Sequence, residues 1–318
     1  MRKSLPDCIR TARQMQIARL PRDVELAGKW LAPVEAELLE LARRHRRQAD
    51  DHLRSLALKQ ASHDQSMPDM FGAPRNGELH DYPVGYCRQI RDRVWESLSD
   101  ESLAQSLRQK GLTWKKVYFI QDGREFQNAI QCGDRLLDVA RDTVDPSREP
   151  VESAPLDELT WENFNDWRRF AEVAAIYYRL DVYPNIYFPL LFPLVPFLAV
   201  RESGRLELLY CQQMLFFLDL GENWRRIRVV LADRDLMARR LPPEMERRLL
   251  DQAGPGAENF PIELRKCSAE ELTAAIAEWE QIRKLPDSQA VATLRNFEKL
   301  ADLTALKLRQ ADIRMGRD

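Results

Sequence analysis

Two tight-turn signals, Asp122-Gly123 and Gly133-Asp134, divide residues 114–140 into three short runs and constrain the fold more than any other feature of the chain. Aspartate and glycine tolerate the left-handed backbone that a two-residue hairpin turn requires, so Asp-Gly between apolar runs is a strong hairpin signal. Trp114-Lys115-Lys116-Val117-Tyr118-Phe119-Ile120-Gln121 has the aromatic and β-branched composition of a strand. Residues 126–132 pair with it as a hairpin, and residues 136–140 follow as a third strand. A helix feeds this antiparallel meander: in residues 87–98, Ile90, Val94 and Leu98 recur at helical spacing.

The rest of the chain reads more coarsely. Residues 34–60 are helical, with Val34, Leu38, Leu41 and Leu56 near one stripe and Pro33 at a common helix-start position. Within them, Arg43-Arg44-His45-Arg46-Arg47 is expected to be a solvated face neutralised by nearby acids rather than a phosphate site. Residues 61–78 read as a connector, 101–109 as a short helix, and 145–159, with three prolines and many acids, as a linker. Residues 161–178 follow as a helix. Pro189, Pro193 and Pro196 break the apolar run 186–200, which is too short for a membrane span and reads as an extended buried segment leading into an edge strand. A second hairpin joins 196–200 to 206–211, and in 224–240 helix and strand compete. The tail is helical: Ser268 and Glu271 form a capping box, and Asp287 opens a last amphipathic helix.

The expected fold class is therefore α+β, a helix-plus-antiparallel-meander core with N- and C-terminal helical segments. The expected division is a helical segment 1–75, the core 76–150, a second α+β region 151–252 that can extend the first sheet, and a helical tail 253–318.

Composition narrows the partners. The 318 residues carry a net charge of only −2, which removes the bulk electrostatic case for nucleic acid or an anionic membrane. Cys8, Cys87, Cys132, Cys211 and Cys267 are scattered, odd in number and without a CxxC pair, which favours a reducing, cytoplasmic setting over disulfides or a thiolate zinc site. The start of the chain lacks the apolar stretch of a signal peptide. His45 and His52 lie a heptad apart, too far for an i,i+4 metal pair. Asp142 and Asp145, beside Arg141 and Arg148, read as ion-paired or turn residues. No metal or cofactor is expected, and a protein or small-molecule partner is.

The chemistry-bearing candidate is Cys87, which follows Tyr82-Pro83-Val84-Gly85-Tyr86 and opens a helix. A helix N-terminus, with Arg88 and Arg91 close by, lowers a thiol's pKa if the sulfur is partly exposed. The alternative is a small buried hydrophobe on the face of Ile90 and Val94. The order of a cysteine-headed helix, a strand, and a strand bearing Asp138 resembles the core of the papain-like superfamily, above all its transglutaminase-like branch, over about residues 82–140. That resemblance implies Cys87 as nucleophile and Asp138 as the acid that orients a histidine. The histidine is missing. Gln127 stands in its place, with Asn128 the alternative register, and neither can act as a general base near neutral pH. His80, seven residues before Cys87, is the nearest substitute. The resemblance thus implies a degenerate domain kept as a binding or interaction module. The alternatives are a cysteine acyl-transfer enzyme using Cys87, Asp138 and either His80 or Gln127, and a structural scaffold.

Overall fold

A computed structural model of the chain describes residues 4–61, 83, 86–209, 214–253, 260–311 and 313. It is a mixture of helix and antiparallel sheet, an α+β fold. The chain divides into two compact units, Gln14–Asn163 and Met1–Arg13 with Phe164–Asp318. The expected core segment 76–150 falls wholly inside the first unit, together with most of the helical segment before it.

After α1 (Leu5–Gln14), the first unit contains α2 (Pro21–Leu26), a π-helical turn and a 3-10 turn through Val34, the long α3 (Glu35–Ala61), α4 (Cys87–Ser99) and α5 (Ser102–Gln109). The strands are β1 (Trp114–Gln121), β2 (Glu125–Cys132), β3 (Arg135–Asp138), β4 (Glu152–Pro155) and β5 (Trp161–Asn163), in the order β4-β3-β2-β1-β5. The β1–β2 turn takes the geometry its Asp-Gly invites. Asp122 and Gly123 both adopt positive φ, 51° and 69°, and Arg124 N–H closes the turn on Gln121 O at 3.1 Å.

Helices α3 and α4 cover one face of this sheet. Leu38 and Ala42 from α3, Ile90, Val94 and Leu98 from α4, and Ile130, Cys132 and Leu137 from the sheet share that core. On the other face Val117, Phe119, Ala129 and Leu136 pack with Ile17 and Leu156. The pleat divides the side chains in this way: odd positions of β1 and β2 point to one side and even positions to the other.

Two expectations change here. The stretch 145–159 holds β4, whose backbone extends the sheet beside β3, and Trp161 begins a strand rather than a helix. The basic run on α3 is not a uniformly solvated face. His45 and Arg46 are buried. Arg46 grips Asp142 with two bonds of 2.7 and 2.9 Å, Asp50 at 2.7 Å and Val139 O at 2.9 Å. His45 contacts Glu101 at 2.7 Å and Gln48 at 3.0 Å. A buried guanidinium needs this many acceptors, and besides Asp50 on the same helix they come from Val139 and Asp142, distant in sequence. Residues 62–78 of the expected connector lie outside the described residues.

In the second unit, α6 (Trp167–Tyr177) opens at Asp166, whose side chain accepts from Arg168 and Arg169 N–H. A three-stranded antiparallel sheet follows, β6 (Leu180–Pro184), β7 (Phe197–Arg201) and β8 (Leu206–Leu209). The proline-rich run before β7 is looped. Buried Asn185 braces it, donating to Val195 O at 2.7 Å and accepting from Phe188 N–H at 3.1 Å. The remaining helices are α7 (Met214–Gly221), α8 (Arg225–Ala232), α9 (Arg234–Ala238), α10 (Pro243–Asp251), α11 (Ala269–Ile282) and α12 (Asp287–Gln310). The ambiguous stretch 224–240 is thus helical. Asn223 and Trp224 enter α8 through left-handed backbone, with φ of 58° and 60°. Buried Asp219 supplies the cap that Trp224 cannot, accepting from Arg226 N–H at 2.6 Å and Ile227 N–H at 2.8 Å. The Trp224 ring packs against Phe216 and Trp279. The expected capping box of Ser268 and Glu271 is formed at α11.

Candidate functional site

Cys87 is the first residue of α4 and retains partial exposure. Its helix start has no side-chain cap; Ile90 N–H reaches Tyr86 O at 2.9 Å instead. The sulfur accepts a hydrogen bond from Asn128 Nδ2 on β2 at 3.2 Å. Asn128 Oδ1 in turn accepts from Arg91 Nη1 at 2.8 Å, one helical turn below Cys87, and the same nitrogen donates to Val117 O at 3.1 Å. Asp92 takes Arg91 Nε and Nη2 at 3.1 and 2.9 Å and Lys116 Nζ at 3.0 Å. The chain of contacts runs from sulfur to amide to guanidinium to carboxylate, and it ties α4 to β1 and β2.

This setting does not activate the thiol. Burial pushes the Cys87 pKa up; the Asn128 bond and the Arg91 charge pull against it, and the Asp138 carboxylate adds to the rise. The expected lowering by the helix terminus and its arginines is therefore reversed, since desolvation of the sulfur outweighs them. The Arg88 backbone N–H also pulls the thiol down, whereas its exposed side chain turns toward Asp92 at 3.9 Å. Burial likewise pulls the Arg91 guanidinium down, against the Asp92 charge.

The sheet does not gather the other candidates around the sulfur. Gln127 precedes Asn128 on the same strand, so it faces the opposite side, with Phe119 and Ala129. It is fully buried, and neither its Nε2 nor its Oε1 has a partner. Asp138 ends β3 after Leu137, whose side chain shares the α4-side core, so alternation turns Asp138 toward the face of Gln127; its charge still reaches the thiol, but no hydrogen bond joins the two. It accepts from its own Ala140 N–H at 2.9 Å. Burial raises its pKa to about 7, opposed by that N–H and by Arg141, and reinforced by Glu152 and Asp142. Cys87, Gln127 and Asp138 therefore do not converge; Asn128, the alternative register, is the residue that meets the sulfur. His80 lies outside the described residues.

No protein-family model, curated protein or solved structure matches this chain. The site must be read from its own chemistry.

That chemistry is one of holding. The amide that meets Cys87 can donate to a sulfur but cannot take its proton. Asp142 and Asp145 make no hydrogen bond with Asp138. Asp142 answers Arg46, and Asp145 binds Ser147 Oγ at 2.6 Å and approaches Arg148 at 3.6 Å. Among the described residues, no three His, Cys, Asp or Glu side chains gather as a metal site needs. Among the described helices none is long and apolar enough to cross a membrane. Sequence reasoning missed the amides of Gln131 and Asn163, which share the face of Gln127 and each hold a backbone residue of the segment before α2. Their spacing on two separate strands carries no local signal.

Proposed function

We propose that the unit 14–163 is an interaction module on a papain-like or transglutaminase-like helix-plus-meander core, catalytically silent, working in a reducing compartment. One observation carries this reading. The position beside the sulfur that an acyl-transfer enzyme would give to a histidine is taken by Asn128, hydrogen-bonded to Cys87. The order of a cysteine-headed helix followed by an antiparallel meander supports the kinship. The raised thiol pKa and the turning of Asp138 to the other face support the loss of catalysis. Cys87 then serves packing, as the acceptor that fixes Asn128 and, through it, buried Arg91.

The test is the alkylation rate of Cys87 against pH, read by peptide mass mapping so that half-buried Cys8 does not confuse it. The native protein, Asp138→Ala and Asn128→Ala are compared, with Cys87→Ala as blank. Slow labelling with a midpoint above the free-thiol value of about 8.5 is expected. Asn128→Ala should move the midpoint further up, because the sulfur loses its donor. Fast labelling with a midpoint below about 7, slowed in Asp138→Ala, would restore the enzyme reading.

A further inference from the structure

The face of the first sheet that turns away from α4 carries four side-chain amides, Gln121 on β1, Gln127 and Gln131 on β2 and Asn163 on β5, of which Gln121 accepts from Arg141 at 3.1 Å. Two of the others do the same thing. Asn163 accepts Ile17 N–H at 2.8 Å and donates to Ile17 O at 2.9 Å. Gln131 accepts Ala18 N–H at 3.2 Å and donates to Ala18 O at 2.6 Å. In an extended chain the N–H and C=O of one residue point the same way, and those of the next residue point the opposite way. Asn163 and Gln131 come from the strands on either side of β1, so they clamp consecutive residues of a strap laid over that strand. Tyr118 N–H donates to Met15 O at 2.9 Å, and Lys115 Nζ donates to Gln16 O at 2.6 Å. The strap Met15–Ala18 is thus gripped through main-chain groups at every residue. Only Ile17 is buried among the apolar side chains of that face.

Such a grip reads backbone and one apolar side chain, and little else. Gln127 has the same donor and acceptor as Gln131 and Asn163 but engages neither while fully buried. Each unmet group costs about 1–3 kcal/mol, so this face holds hydrogen-bonding capacity that the strap does not use.

We propose that this face binds an extended peptide of a partner protein through its main chain, with an apolar residue in the place of Ile17, and that Met15–Ala18 is the occupant supplied in cis. This rests on the interaction-module reading but not on any kinship to cysteine hydrolases, and the alkylation of Cys87 does not bear on it. Strap and competing peptide exchange by swapping one pair of amide clamps for the same pair on another chain. An incoming chain that also meets Gln127 gains over the strap. The apolar anchor and the main-chain pairs define the partner's chemistry, and a second copy of this chain is the competing occupant.

The test uses the full-length chain with Ile17→Ser, which removes the strap's anchor, and a fluorescein-labelled peptide of residues 13–20. Saturable binding by fluorescence anisotropy is expected. N-methylation of the peptide amides at the Ile17 and Ala18 positions should weaken it at least about tenfold, as should Asn163→Ala with Gln131→Ala in the protein. Because Ile17→Ser removes a buried side chain, hydrogen exchange in Asn163→Ala serves as the second measurement. The Ile17 and Ala18 amides should exchange at least about tenfold faster while β1 amides keep their protection. Peptide bound equally well after N-methylation would overturn the proposal, as would no uptake by a chain whose strap amides exchange freely. A strap as protected as β1 in Asn163→Ala would make it a fixed part of the sheet. A concentration-dependent dimer of the native chain, abolished by Ile17→Ser, would give the face to a second copy.

Discussion

On the helical side of the 114–163 sheet, Cys87, Asn128, Arg91 and Asp92 satisfy one another in an unbroken line, and Arg46 on α3 is met by two carboxylates and a carbonyl. On the opposite side, Gln127 is buried with both amide groups unmatched, and Asp138 is held by a single backbone N–H. Both sides are polar where a core is usually apolar. A matched buried network fixes one arrangement, whereas an unmatched one leaves free energy for another partner to collect. The helical side is therefore read as structure and the strap side as function.

Breaking the matched Arg46 network should have the largest effect. Arg46→Met leaves Asp50 and Asp142 without their buried cation and removes the bond to Val139 O. A loss of about 3–5 kcal/mol is expected in urea unfolding, because desolvated carboxylates lose their counter-charge. A loss below about 1 kcal/mol would mean that the helical side is no better matched than the other, and the contrast would fall.

A medium effect should come from Asp138, with a sign set by pH. Its folded pKa is raised, to about 7, so the acid is protonated in the folded chain over a range where the unfolded chain has ionised. Stability from this group is complete below the ordinary carboxyl pKa of about 4, falls as pH rises toward about 7, and is level above that. Asp138→Asn keeps an acceptor for Ala140 N–H without the charge. It should match the native protein near pH 4 and exceed it above pH 8, by on the order of 1–3 kcal/mol given the partial exposure of Asp138. Equal stability of the two at pH 8 would show that Arg141 compensates the carboxylate fully.

How much of this was legible in the sequence follows the range of the interactions. The meander was, because Asp122-Gly123 dictates its turn locally, and so was the capping box of Ser268 and Glu271. The strand Glu152-Ser153-Ala154-Pro155 was not. It has no apolar alternation, and its place comes from backbone pairing with β3 and from Ser153 meeting Glu35 at 2.8 Å, 118 residues away. Arg46 looked solvent-facing because Asp142 lies 96 positions on. At the candidate site both registers, Gln127 and Asn128, were visible in the sequence. Choosing between them needed the pleat, since a shift of one residue exchanges the faces of the sheet.

The smallest effect should come from Gln127→Leu, and its sign matters more than its size. If the amide is a group without a partner in the resting chain, replacing it by an apolar side chain of similar length removes two unmet buried groups. The variant should be more stable than the native protein by about 1–2 kcal/mol in urea unfolding, with the strap amides of Ile17 and Ala18 protected as before. The same change should weaken uptake of an extended peptide, because the incoming chain loses the one clamp that the strap leaves idle. Stability gained together with binding lost is the signature of a residue kept for a partner. If Gln127→Leu instead destabilises the chain by more than about 1 kcal/mol, the amide is engaged in the resting protein. The strap side would then be as well matched as the helical side, and the strap would have no advantage to yield to a competitor.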